Sequence, residues 1–258
     1  GYLVADLDSN GWPQSGRNRA LEELRRGFVF HYAGDQHLAS IVHHGIEDWG
    51  DAGFSFCVPS IAAGYPRSWR PDKEGLPVRN RPKPGLPNTG EYKDGLANVL
   101  TVHAIGNPDK QKPKGRIQTL HDKASGYGVV RMNKARGTIT MECHRLLLDA
   151  ANLQPGDQFP GWPKTIGYTD NYGRKPVAHL PMIKVEGLKN PVVQVKIAKT
   201  GELIYALRIK GNSFRPPVFE KEETYEVRVG EPDLDAWKTL KLLRGEIVGS
   251  QSSRTVKF

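Results

Sequence analysis

Cysteine is nearly absent from this chain of 258 residues, which contains only Cys57 and Cys143. Each lies inside an apolar, strand-like run, so both read as buried thiols, and nothing in their spacing forces a disulfide. The cellular compartment is therefore not legible from cysteine. Long apolar runs are also missing: none approaches the ~18 residues that span a bilayer as a helix, which argues against a membrane span. No Gly-x-Ser-x-Gly elbow, phosphate-binding Gly loop or His-Glu-x-x-His helix occurs, which removes serine hydrolases, P-loop enzymes and zincins. Zinc-finger spacing, a recognition-helix pattern and an RNA-binding aromatic motif are absent as well. Acidic residues are outnumbered, 28 against 37 Lys and Arg, for a formal net charge of +9. That excess favours acidic partners, phosphate esters among them, and leaves nucleic acid open as a partner.

The most informative run is Phe28 to Ser40, Phe-Val-Phe-His-Tyr-Ala-Gly-Asp-Gln-His-Leu-Ala-Ser. An aromatic and β-branched strand stops at Gly34, and Asp35 and His37 follow one residue apart. Past a strand's end, a tight Gly turn can aim a carboxylate and an imidazole into one crevice. Oxygen plus imidazole nitrogen suits iron, zinc or manganese, with calcium at the carboxylate. Upstream, the polar turn Asp6 to Pro13 opens onto Arg17–Arg26, whose Ala20, Leu21 and Leu24 form the apolar stripe of a short helix ending at Gly27. Downstream, Gly53–Ser60 reads as a second buried strand. The order is that of an α/β arrangement, with Asp35 and His37 expected at the carboxyl end of a central strand, where open α/β sheets place their sites.

Together, Asp8 to Leu24, Gly34-Asp35-Gln36-His37, Cys57-Val58-Pro59-Ser60, the hairpin Tyr127–Asn133 with Thr138–Cys143, and Pro160-Gly161-Trp162-Pro163 resemble the second half of the alkaline phosphatase D-type (PhoD-like) metallophosphoesterases. The resemblance covers residues 1–175. It implies the carboxyl half of a calcineurin-like α/β/β/α sandwich whose two-metal centre hydrolyses phosphate mono- or diesters with a metal-activated water. Asp35 and His37 match the last metal-ligand pair. Asn10, Trp12, Arg17, His43 and His44 become candidates for substrate contact. The family's earlier ligands have no counterpart in the chain, so an amino-terminal half of the same protein is the expected partner. The family also implies a periplasmic or extracellular location, its signal segment lying on that missing half.

The remaining sequence divides by texture. Residues 1–176 form the expected partial metallophosphoesterase domain, interrupted by a Pro/Gly-rich insertion at about 65–95 that reads as a long loop. From Val177, short alternating runs with Gly turns predict a small antiparallel β-sandwich over 177–248. Residues 249–258 read as a frayed basic tail. His43 and His44 are expected one to two helical turns after Asp35 and His37, His31 is expected to be buried inside its strand, and Glu142 and His144 are expected on an exposed strand face. The alternative to an enzyme is a non-catalytic module that binds an anionic polymer or a protein partner.

Overall fold

The computed structural model describes residues 13–62, 65–109, 115–220, 222–246 and 252–258. Asn10 and Trp12 lie outside the described residues. Among the described residues there are 17 strands and two α-helices, so the fold is β-rich. The chain divides into two compact units, residues 1–24 with 29–173, and residues 25–28 with 174–258. No helix among the described residues is long and apolar enough to cross a membrane.

The first unit holds α1 (Gln14–Arg26, all but its last two residues), β1 (His31–Ala33), β2 (Ala39–His44), β3 (Phe54–Cys57), β4 (Gly90–Lys93), β5 (Val99–Gly106), α2 (Arg116–Asp122), β6 (Gly126–Asn133), β7 (Thr138–Arg145) and β8 (Lys164–Gly167). Five strands make one sheet in the order β1-β3-β2-β5-β4, and β6-β7-β8 make a second. Ile41, Phe54, Phe56 and Ala104 from the larger sheet share one buried cluster with Ile139, Met141, Cys143 and Ile166 from the smaller. The two sheets therefore pack through their alternating apolar faces, as period-two patterning requires. The larger sheet buries Val42, Leu100 and Val102 in a second cluster, against Trp69 from the insertion.

Several expectations are corrected here. β1 pairs with β3 alone and is an edge strand, not a central one. It is short because Phe28 takes φ 51° and its N–H closes a turn on the Arg25 carbonyl, which spends residues 28–30 on leaving the helix. At that edge His31 is exposed rather than buried. His43 and His44 stand on strand β2, not on a helix, since Ile41 and Val42 are β-branched and the segment is flanked by two pairing strands. The insertion is not loop throughout: β4 pairs with β5, Trp69 packs edge-on against Tyr92 with ring centroids 4.6 Å apart, and Arg81 and Asp72 pair bidentately at 2.8 Å. His144 is buried, because the Tyr127 ring stacks over it at 5.0 Å.

A single side chain ties the end of this unit to its middle. Asn171, fully buried in a 3-10 turn over Tyr168–Tyr172, accepts the Phe54 N–H at Oδ1 (3.0 Å) and donates from Nδ2 to the Tyr168 carbonyl (3.1 Å). Asn171→Ala would leave the Phe54 N–H buried without a partner, which costs about 1–3 kcal/mol. A urea midpoint lowered accordingly checks this, and an unchanged midpoint contradicts it.

The second unit contains β9 (Ala178–His179), β10 (Met182–Glu186), β11 (Val192–Ile197), β12 (Leu203–Arg208), β13 (Ser213–Phe214), β14 (Pro217–Val218), β15 (Thr224–Glu231), β16 (Ala236–Arg244) and β17 (Ser253–Lys257). They form sheets β12-β11-β15-β16, β13-β10-β17 and β14-β9. Inward-facing Ile183, Val185, Val193, Val195, Tyr225, Val227 and Val229 are buried. Tyr205 is buried with them and donates its hydroxyl to the Pro217 carbonyl at 2.9 Å, so its polar end is satisfied. Every strand pair within 177–248 among the described residues is antiparallel, as expected. The expectation for the tail fails: residues 253–257 are a strand that pairs with β10 in parallel rather than part of a frayed end. Burial of Val256 against the unit's core holds the strand in place.

Candidate functional site

Residues 34–37 form a turn that leaves the exposed edge of β1. Asp35 has φ 69° and His37 has φ 53°, so two non-glycine residues one apart both lie in the left-handed region. Asp tolerates that conformation by local hydrogen bonding, whereas histidine does so at a cost of roughly 1–2 kcal/mol. Strain of this kind persists only where surrounding contacts impose it. The contacts come from a strap 28 residues later. The Arg67 N–H donates to the His37 carbonyl at 3.3 Å, and Arg67 Nη1 donates to Gln36 Oε1 at 3.2 Å. The Tyr65 carbonyl receives His37 Nδ1 at 2.9 Å.

That last bond fixes the tautomer. A carbonyl only accepts, so Nδ1 carries a proton, and in the neutral ring Nε2 is the nitrogen with the lone pair. A metal-ligating histidine has this form, with one ring nitrogen donating to a carbonyl and the other available to the ion. Asp35 adds an exposed carboxylate to the same turn. Their donor types, one carboxylate and one imidazole, are ones that metal centres use. The two residues do not complete such a centre: among the described residues no group of three or more His, Cys, Asp or Glu side chains gathers. Cys57 adjoins the turn across the β1–β3 pairing but adds no thiolate, since burial is the largest influence holding its thiol above the ordinary range.

The other candidates among the described residues, Arg17, His43 and His44, are engaged by the protein. Arg17, on α1, donates from Nη1 to the Gly45 carbonyl (2.6 Å) and Asn18 Oδ1 (3.0 Å), and from Nη2 to the Val99 carbonyl and His44 Nδ1 (both 3.4 Å). Its guanidinium anchors the helix to the ends of β2 and β5. With Nδ1 accepting, His44 carries its proton on Nε2, which reaches Ser55 Oγ at 2.9 Å. His43 Nε2 donates to the Ala52 carbonyl (2.8 Å), and its ring stacks on Phe54 with centroids 3.9 Å apart. A Cβ on Gly50 would lie 2.9 Å from His43 Nδ1, so that side of the ring is closed by backbone.

The structure groups His43 with a residue absent from the sequence-based set, His103. The β2–β5 register shifts between Ile41 and Val42: Ile41 opposes Ala104 and Val42 opposes Val102, leaving His103 as the extra residue of a bulge. Its ring lies 5.3 Å from Phe54 and 6.2 Å from His43, and its Nδ1 is buried with no hydrogen-bond partner among the described residues. Burial is the leading cause that lowers both, His43 to about 4 and His103 to about 3. His44 is lowered to about 3, again mainly by burial and then by the charge of Arg17. These three imidazoles are neutral at physiological pH.

No family model, no curated protein and no solved structure matches this chain.

Proposed function

We propose that this chain is the carboxyl-terminal part of a metal-dependent phosphoesterase of the PhoD-like kind, with Asp35 and His37 as ligands to its metal centre. In this reading residues 1–176 belong to a calcineurin-like sandwich and 177–248 to an appended β-sandwich. The observation that carries the proposal is the strained Asp35–His37 turn, in which the Tyr65 carbonyl orients His37 so that Nε2 keeps its lone pair. Gly would fit the left-handed region at less cost, so the oriented imidazole is what distinguishes His37 at this position. Asp35 would contribute a hard anionic oxygen and His37 a borderline nitrogen, a pair suited to iron, zinc or manganese, with calcium at the carboxylate. A bound metal pair would polarise the phosphoryl group and activate water for in-line attack.

This chain's own residues orient the ligands and hold them against the sheet edge. Their remaining partners would come from a segment outside the described residues, the proposed amino-terminal half. Secretion to the periplasm or beyond the cell belongs to the same proposal. The test is to assay residues 1–258, and a form extended upstream, on a chromogenic phosphodiester, with elemental analysis of both. The extended form is expected to hold metal and turn over in proportion to it, while residues 1–258 alone have little activity. Full turnover by residues 1–258, or turnover by an extended form that contains no metal, overturns the assignment.

A further inference from the structure

The sheet β6-β7-β8 ends, at the hairpin turn 133–137, in an open concavity of about 660 Å³ lined chiefly by Arg131, Lys134, Arg136, Thr138, Thr140 and Thr165. Strand pairing sets Arg131, Thr140 and Thr165 side by side in one row, with Thr138 beside Asn133 in the next. The Thr140 and Thr165 hydroxyls are 2.8 Å apart. The turn that carries Lys134 and Arg136 is built firmly. Asn133 Oδ1 accepts the N–H groups of Ala135 (3.1 Å) and Arg136 (3.0 Å), and Gly137, at φ 64°, leaves room for the Tyr168 ring, which a Cβ would approach to 3.1 Å.

The charge of this surface is one-sided. The lining contains no carboxylate. The neighbouring Glu142 is already occupied, receiving Arg131 Nε at 2.5 Å and Nη2 at 3.3 Å, and His144 Nε2 at 3.2 Å. That pairing fixes Arg131 in place while Nη1 takes no part in it. Lys134 and Arg136 have no carboxylate partner among the described residues. Rows of hydroxyls flanked by three cations offer donors to anionic oxygens, and both donors and acceptors to sugar hydroxyls. No Phe, Tyr or Trp lines the concavity, so it lacks the stacking platform that single-stranded nucleic acid uses.

We propose that this face binds a polysaccharide bearing sulfate or phosphate groups. An open, multipoint surface suits an extended chain better than a small ion, since each exposed contact contributes little and several must act together. The site is separate from the Asp35–His37 turn and stands or falls independently of the phosphoesterase reading.

The experiment is a fluorescence titration of the full chain with labelled heparin hexasaccharide and with a phosphorylated dextran oligomer, with neutral dextran and oligo(dT) alongside. Lys134→Ala/Arg136→Ala should weaken the anionic sugar about tenfold or more and flatten its salt dependence, because fewer counterions are released. Thr140→Val, which removes one hydroxyl at near-constant shape, should weaken it severalfold. The charge-matched control Lys238→Ala/Lys241→Ala, on exposed positions of β16, should change little. Tighter binding of whichever sugar is preferred tells sulfate from phosphate as the recognised group, and either preference supports the site. Equal losses in the hairpin and control variants would reduce the effect to general positive charge and overturn the proposal, as would tighter binding of oligo(dT) than of both sugars.

Discussion

Between pH 7.5 and pH 5 the first unit should lose on the order of 6–12 °C of thermal stability, from histidine protonation alone. His43, His44 and His103 titrate in the folded protein at about 4, 3 and 3. In the unfolded chain each takes up its proton near 6.5. Below that pH the unfolded state binds protons that the folded state refuses. The stability these neutral rings contribute is thus complete above about pH 6.5 and is lost as pH falls toward 4 and 3. Three such groups give a slope of up to about 4 kcal/mol per pH unit, and partial exposure of the rings brings the working figure nearer 2. The geometry explains why folded-state protonation is refused. For His43, burial outweighs the bond to the Ala52 carbonyl and the nearby Asp170, both of which favour the charged ring, and for His44 burial is reinforced by the Arg17 guanidinium facing Nδ1.

His103→Leu provides the control. It removes one titration and an imidazole nitrogen that is buried without a partner among the described residues, so stability at pH 7.5 should hold or rise while the slope falls by about a third. Circular dichroism melts at half-unit intervals would check both. A melting temperature flat from pH 7.5 to 5, or a His103→Leu variant with the parent slope, rules the mechanism out.

The bulge behind this cluster illustrates what the sequence conceals. β5 was legible from Val99 to Ile105 as a β-branched run, and the hairpin of β6 and β7 from its alternation and its Asn133–Gly137 turn. Which residue of β5 would be the unpaired one depends on register against β2, more than fifty positions away, so His103 had no local signature. β17 was missed for a related reason. Ser253-Arg-Thr-Val-Lys has one residue that becomes buried, Val256, and its partner β10 lies about seventy residues upstream and runs parallel. Polar edge segments acquire strand character from their partners, not from composition. Arg17 and His44 looked available for a ligand because each is polar beside a motif. Only the sheet reveals that they bond each other and the carbonyls of Gly45 and Val99. Asp35 and His37 were visible as Gly-Asp-x-His. The strap from Tyr65 to Arg67 that holds the turn was not, because a backbone carbonyl carries no residue code.

On the proposed assignment, His37→Ala in a form extended upstream should cut metal affinity about 100-fold or more, and turnover should fall with metal content. In the left-handed region, histidine costs roughly 1–2 kcal/mol relative to glycine, against which stands a single hydrogen bond from Nδ1 to the Tyr65 carbonyl, worth about 1 kcal/mol net. As a stabilising device the residue roughly breaks even. His37→Gly therefore separates the two roles: it relaxes the backbone and removes the ligand nitrogen, so stability should stay within about 1 kcal/mol of the parent while metal binding collapses. Asp35→Asn should act in parallel, since Asn keeps the shape and the tolerance of φ 69° but withdraws the anionic oxygen. Urea denaturation read beside elemental analysis distinguishes the outcomes. If His37→Gly keeps full metal content, or if all three variants lose metal only in step with unfolding, then the turn is structural and the ligand assignment of Asp35 and His37 fails.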